Sequence, residues 1–217
     1  EEAMASLRVS VKSKNADLVG KMFSAKMIEL ALANYPGFFI GGAVRSVGPV
    51  LVYWPALIDS KHISETVHFD GKETIILPTN QLGLEDTYYQ KQPIDVPPAP
   101  SDASIRVPLG ALFGARSGDK GGCANIGVWA KTENAYSFLN ECLTVKRIKE
   151  LMPDLAEFQI DRYELPNILS LNFYIHGILE DGVSSNTRKD GQAKSLGEYL
   201  RAKYIEIPKS LIKEKEA

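Results

Sequence analysis

Cysteine is scarce in this sequence: Cys123 and Cys142 are the only two among 217 residues, and they form neither a CxxC pair nor a Cys/His spacing. A disulfide framework or a zinc site is therefore not expected, no metal ligand set is assigned, and reduced thiols inside a cell fit best. Long hydrophobic runs are also missing. The longest apolar stretches, such as IELALA at 28–33, fall well short of the ~20 residues that cross a bilayer, and no charged-then-apolar signal segment opens the chain. Charge of either sign is not in excess, with a formal net charge of -2 and a pI near 6.0. Such balance gives no whole-chain attraction to polyanions, and no local basic patch stands out, so neither nucleic acid nor a membrane is an expected partner. The expected compartment is the cytoplasm, or the mitochondrial matrix in a eukaryote. The first residue is Glu1 rather than Met, which reads as a processed or trimmed chain, or as a fragment of a longer one.

What is present is the material of an ordinary globular protein. A composition 44% hydrophobic and 24% charged can bury a real core, and the length allows one large domain or two small ones. Residues 5–12, ASLRVSVK, alternate strictly and predict a half-buried strand. Asn15 offers a cap for a helix over about 16–34, along which Leu18, Val19, Met22, Phe23, Met27 and Leu30 recur at helical spacing. VGPVLVYW at 47–54 predicts a strand, and ETVHFDGKETIILP at 65–78 a hairpin turning at Asp70-Gly71. The first unit, 1–92, is thus expected to be β-α-β-β. Four prolines in residues 93–100 favour an extended spacer, which places a linker at 93–102.

A second unit, 103–217, follows. SIRVPL starts it, the stretch GARSGDKGG at 114–122 reads as a loop, and ANIGVWA at 124–130 as a strand. Asn134 is taken as the cap of a helix carrying Tyr136, Phe138 and Leu139, and VKRIKELM adds further helical turns. FQIDRYEL and ILSLNFYIHG read as paired strands joined at Pro166-Asn167, AKSLGEYLRAKY as a helix, and IEIP as a closing strand. The tail, KSLIKEKEA, reads as a solvated, fraying end. Strands with helices between them, twice over, predict an α+β fold: two ferredoxin-like sandwich units, with antiparallel or mixed sheets and helices on one face.

The candidate chemistry centres on the glycine-rich stretch. Consecutive amides around Ser117, Gly118, Gly121 and Gly122 can turn toward one point and hold an anion in a concave nest. Arg116 and Lys120 would add charge-assisted bonds, and Asp119 would serve as a base or orient either cation. The alternative is a tight, charged turn in which Arg and Asp pair only with each other. No Walker spacing is present, and a strand rather than a helix follows, which disfavours nucleotide hydrolysis. Cys123, close to Lys120, is either a nucleophile with a cation nearby or a small packing residue. Along ILSLNFYIH the period of two sets Ser170, Asn172, Tyr174 and His176 on one face and Leu169, Leu171, Phe173 and Ile175 on the other. His176 is the acid/base candidate among three histidines, with a hydrogen-bonded surface histidine as the alternative. Arg188 and Lys194, before the last helix, either clamp the same ligand or are merely solvated.

The segments ARSGDKGG, ANIGVWA, RYELPNILSLNF, IHG, GVSSNTR and AKSLGEYLRAK resemble the carboxy-terminal part of the acyclic terpene utilisation AtuA-like family. LRVSVK, ELALANYPGFF and VYWPAL resemble the segment that precedes it in the same proteins. The resemblance implies a setting in the breakdown of citronellol- and geraniol-type terpenoids through coenzyme A thioesters. It also implies a large amino-terminal α/β domain that this chain lacks, and so a missing domain, a partner chain, or a homo- or hetero-oligomer. Similar proteins often carry Asp or Asn where this one has Cys123. Two functions follow as expectations. One is an enzyme or enzyme subunit of lyase, hydratase or transferase type acting on terpenoid or branched acyl-CoA, with Arg116, Asp119, Lys120, Asn125 and Asn172 near an anionic small molecule. The other is a non-catalytic interaction module. No cofactor is evident beyond coenzyme A as part of the substrate.

Overall fold

The computed structural model of the chain describes residues 6–31, 36–39, 47–76 and 96–216. Helices α1 (Ala16–Val19) and α2 (Lys21–Ala31) are separated at Gly20, and Asn15 caps the first by accepting a hydrogen bond from the Asp17 amide. Strands β1 (Glu65–Phe69) and β2 (Lys72–Ile76) form the expected hairpin. Its turn places Asp70 at φ 49° and Gly71 at φ 70°, the paired positive values that a two-residue connection matching strand twist demands. The two other predicted strands are not strands. Residues 6–12 and 47–54 run without a ladder partner, and alternation alone cannot make a strand where no second edge accepts its amides. Residues 32–34 of the predicted helix, 77–78 of the hairpin, and 93–95 of the proposed linker lie outside the described residues. No residue of α1, α2, β1 or β2 is buried, and Leu7, Trp54, Leu57 and Phe69 stand open.

The core is built entirely within the second unit, from Leu109 to Leu211 among the described residues. Strands β3 (Ser104–Pro108) and β8 (Tyr204–Pro208) pair antiparallel at one side. The main sheet has the order β4-β5-β7-β6, made of Gly114–Lys120, Cys123–Trp129, Ser170–Ile175 and Ile160–Leu165, with every pair antiparallel. Ala115, Ala124, Ile126, Val128, Leu171, Phe173 and Ile175 line its inner face. Onto them pack α3 (Glu133–Cys142) through Tyr136 and Leu139, α4 (Val145–Leu151) through Ile148, and α5 (Leu196–Arg201) through Leu196 and Leu200. This is the α+β, ferredoxin-like architecture, with helices on one face of an antiparallel sheet.

Three local expectations change. The glycine-rich stretch is no loop: 114–120 form the edge strand β4, and only Gly121 and Gly122 make the turn into β5. Extended backbone sends successive amides to opposite sides, so they cannot converge on one anion as a nest requires. The cap of α3 is Thr132, whose hydroxyl accepts from the Ala135 amide, rather than Asn134. The tail is helix α6 (Lys209–Glu216), seated by buried Leu211 and capped by the Asp102 carboxylate, which accepts from the Ser210 amide at 3.0 Å. Among the described residues no helix is long and apolar enough to cross a membrane.

The β4-β5 turn is docked without slack. Gly121 takes φ 64°, and a Cβ on Gly122 would lie 2.2 Å from the Glu180 carbonyl oxygen. The Gly122 carbonyl accepts from the Leu179 amide at 2.9 Å. The amino-terminal residues reach the same corner, where Lys12 pairs with Glu180 at 2.7 Å and the Tyr53 amide donates to the Asp181 carbonyl at 3.1 Å. Gly122→Ala should destabilise the protein by about 2 kcal/mol or more, lowering the midpoint of thermal unfolding by roughly 4–8 °C. A midpoint within a degree or two of wild type would show that this corner yields.

Candidate functional site

Among the described residues no helix packs on the outer face of the main sheet, whose residues follow from the ladder register. Arg116, Gly118 and Lys120 of β4 lie beside Gly127, Asn125 and Cys123 of β5. Gly127 and Asn125 lie beside Asn172 and Tyr174 of β7, which in turn oppose Tyr163 and Asp161 of β6. Four strands at about 4.8 Å spacing make a surface roughly 14 Å across. Its middle is polar, with Trp129 and Leu165 at one end, while the core of the opposite side is made by the aliphatic residues of β5 and β7.

Its centre is held by one hydrogen bond and one void. The Asn125 side-chain amide donates to Asn172 Oδ1 at 2.9 Å. Beside that pair sits Gly127, where an added Cβ would find only the Arg116 carbonyl oxygen within 4 Å, at 3.8 Å. The sheet therefore has a shallow slot there, flanked by Arg116, Asn125 and Asn172. At one end of the face Trp129 lies over Gly114 so closely that a Cβ there would meet its ring at 2.2 Å.

Along the β4 edge the groups are cationic. Arg116 and Lys120 are exposed, and the Lys120 ammonium donates to the Asp119 carbonyl at 2.9 Å. Lys194, which precedes α5, curls around the edge: its Nζ lies 3.0 Å from where a Cβ of Gly118 would be and 3.6 Å from Asp119 Oδ1.

At the far side are the titratable groups. His176 Nε2 is 2.7 Å from Asp161 Oδ2, with both side chains about 40% exposed. That hydrogen bond is the chief reason the Asp161 carboxyl is held below its ordinary value of 3.8. The Tyr174 ring meets the His176 ring edge-on, 4.9 Å between centroids. Its hydroxyl is pushed up, first by its hydrogen bond with Cys123 and then by burial. Cys123 Sγ also accepts from the Gly177 amide at 3.4 Å.

The sequence-derived candidates thus divide. Arg116, Gly118, Lys120, Asn125, Asn172 and His176 share the outer face, and Lys194 reaches it. Ser117 and Asp119 do not, because they lie in register with Ile126 and Ala124 on the inner side. The Ser117 hydroxyl is spent on structure, donating to the Lys194 carbonyl at 3.1 Å and accepting from the Gly197 amide at 2.9 Å. Gly121 and Gly122 form the turn. Arg188 belongs to a loop folded around Asn186, whose amide donates to the carbonyls of Gly182, Val183 and Gly191 and whose oxygen accepts from the Arg188 amide. Asp161, Tyr163, Tyr174 and Gly127 were not singled out as site residues. Applying the period of two to FQIDRYEL as well as to its partner would have placed Asp161 and Tyr163 beside Tyr174 and Asn172. Among the described residues no three His, Cys, Asp or Glu side chains converge as a metal would need.

Because the folded pKa of Asp161 is depressed, its bond to His176 contributes to stability above the ordinary carboxylate value and is lost as pH falls through the lowered one. In His176→Ala, carbon-13 NMR of the Asp161 carboxyl should show the titration midpoint moving up toward 3.8. An unmoved midpoint would mean that His176 is not what holds it down.

Comparison with known proteins adds two matches in chain order. The family model of the acyclic terpene utilisation family protein AtuA matches residues 1–69, and that of the AtuA ferredoxin-like domain matches residues 107–206. The second contains all four strands of the sheet just described. No curated protein and no solved structure gives a significant match. With one family covering both parts of the chain, and the ferredoxin-like unit present as folded structure, the chain is a member of the acyclic terpene utilisation AtuA-like family, with a role at family level in the use of acyclic terpenes.

Proposed function

We propose that the outer face of the main sheet binds the coenzyme A thioester of an acyclic terpenoid or branched acid, as part of an enzyme that breaks such compounds down. The observation that carries this reading is the slot at Gly127, lying beside a cationic strand edge and opening toward an Asp-oriented histidine. Arg116, Lys120 and Lys194 suit phosphate groups, since charge-assisted bonds are about twice as strong as neutral ones. The aromatic rings of Tyr163 and Tyr174 offer apolar contact to an acyl chain lying across β6 and β7. His176 donates Nε2–H to the Asp161 carboxylate, which keeps the imidazole oriented and leaves Nδ1 free to accept a proton. A base so placed suits hydration, lyase or acyl-transfer chemistry next to a thioester carbonyl. The anion reading of the glycine-rich stretch survives in altered form, carried by side chains on one strand face rather than by converging amides.

Titration calorimetry with isovaleryl-coenzyme A checks it. Arg116→Ala should weaken binding about tenfold or more, the worth of one charge-assisted hydrogen bond. Gly127→Val should abolish binding while leaving the unfolding midpoint unchanged or raised, since its Cβ meets only the Arg116 carbonyl oxygen, at an ordinary 3.8 Å, and Val suits a strand. Binding that survives Gly127→Val would move the ligand off this face.

A second reading, an assembly module, draws on a different observation: none of the described residues among 6–76 is buried, and Leu7 is exposed at 90%, Trp54 at 87% and Leu57 at 104%. Large apolar side chains exposed in that number suit a protein partner or an α/β domain. On this reading the chain should sediment well above its 23.9 kDa monomer mass at micromolar concentration, whereas a monomer that stays in solution would count against it.

A further inference from the structure

We infer that Cys123 is an acyl acceptor, taking the acyl group of the bound thioester into covalent linkage on the sheet's outer face. The inference rests on the binding reading above and names the reaction.

The two cysteines of this chain occupy opposite kinds of place. Cys142 packs against the aliphatic core, and burial pushes its thiol up to about 12, so it is inert near neutrality. Cys123 is half-buried but takes no part in the core cluster. Its surroundings are polar: the Gly177 amide donates to Sγ at 3.4 Å, and Tyr174 shares its face of the sheet. The Gly177 bond fixes the sulfur on the outer side of the sheet, beside the turn that follows His176. A packing role, the alternative open to any small cysteine, leaves this pattern of partners unexplained.

Register supplies the base. Ala124 pairs with Ile175 at the end of the β5-β7 ladder, and continuing that register by one step sets Cys123 of β5 against His176, the residue that follows β7, with both on the outer face. Residues so opposed on neighbouring strands have Cβ atoms about 4.5–5.5 Å apart. His176 gives Nε2–H to Asp161, leaving Nδ1 as the acceptor for the thiol proton. Nucleophile, base and orienting carboxylate are then in the order that activated thiols use. Asn125, two residues along the same face from Cys123, brings an amide donor to where a thioester oxygen would gain charge.

The step balances without any further reagent. The Cys123 proton passes to His176 Nδ1 as Sγ bonds to the thioester carbonyl carbon. The carbon–sulfur bond to coenzyme A then breaks, and the departing sulfur takes the proton back from His176. One thioester is consumed and one is formed, with no change of oxidation state. Water or a second thiol then receives the acyl group.

Intact-protein mass spectrometry after incubation of the full chain with isovaleryl-coenzyme A reads the outcome. One acyl adduct is expected, mapped to Cys123 by peptide digestion, absent in Cys123→Ser and unchanged in Cys142→Ser. His176→Ala should slow its appearance by about 10²-fold. A thioether analogue of isovaleryl-coenzyme A, which cannot transfer its acyl group, reads binding alone. Analogue binding with no adduct, an adduct on Cys142, or a rate indifferent to His176→Ala overturns the acyl-acceptor role and leaves the binding reading standing. Failure to bind the analogue, with no adduct, overturns both.

Discussion

Helix α5 rests directly on the backbone of β4, and the character of the sheet depends on that closeness. Gly197 permits it: a Cβ there would meet the main chain of Arg116 at 3.2 Å. Ser117 secures it by serving both the Lys194 carbonyl and the Gly197 amide with one hydroxyl. A strand fastened through its backbone needs no large apolar side chains on its inner side, and β4 has only Ala115 buried there as a hydrophobe. Its outward side is correspondingly free to carry charge. The same contact draws the residues before α5 to the sheet edge, which is why Lys194 can fold across Gly118. Stability and electrostatics of this edge thus have one origin.

That contact also explains what could and could not be read from the residues alone. The period of two was plain in ILSLNFYIHG because the inner side of β7 packs against helices through Leu171, Phe173 and Ile175. It was hidden in GARSGDK because the inner side of β4 meets a helix backbone, where small and polar residues fit and apolar ones do not. A strand so built looks like a turn, and its glycines and charges suggested a loop. The outward residues were recoverable in type, if not in arrangement: Arg116, Asn125, Asn172 and His176 lie on one surface, while Ser117 and Asp119 face the other way. Asp161 is harder to find in the sequence, because its role follows only when the polar side of FQIDRYEL is set beside that of ILSLNFYIHG. In the first seventy-six residues, alternation and helical spacing promised a packed unit. The helices and the hairpin are present, but their apolar sides meet no core of their own.

The outer face joins two kinds of demand that rarely coincide on a bare sheet. Cations gather at one edge strand, acid/base groups at the other, and between them the sheet supplies amides and a missing side chain instead of a deep cavity. A flat surface excludes water poorly, so a charge pair left on it is worth little by itself, and Asp161 and His176 are both about 40% exposed. Their usefulness lies in orientation. The corner formed by Gly121, Gly122 and Glu180 has a related effect, because it holds the end of β5, and with it Cys123, in a fixed relation to the loop that follows His176.

The pairing of β3 with β8 has an evolutionary reading. Ser104 faces Pro208 across that ladder, so the first and last strands of the ferredoxin-like unit bring its entry and the start of its closing helix to one spot on its surface. A segment closed in this way behaves as a cassette: it can be appended to, or inserted within, unrelated polypeptides through a single point of attachment, with no rethreading of its interior.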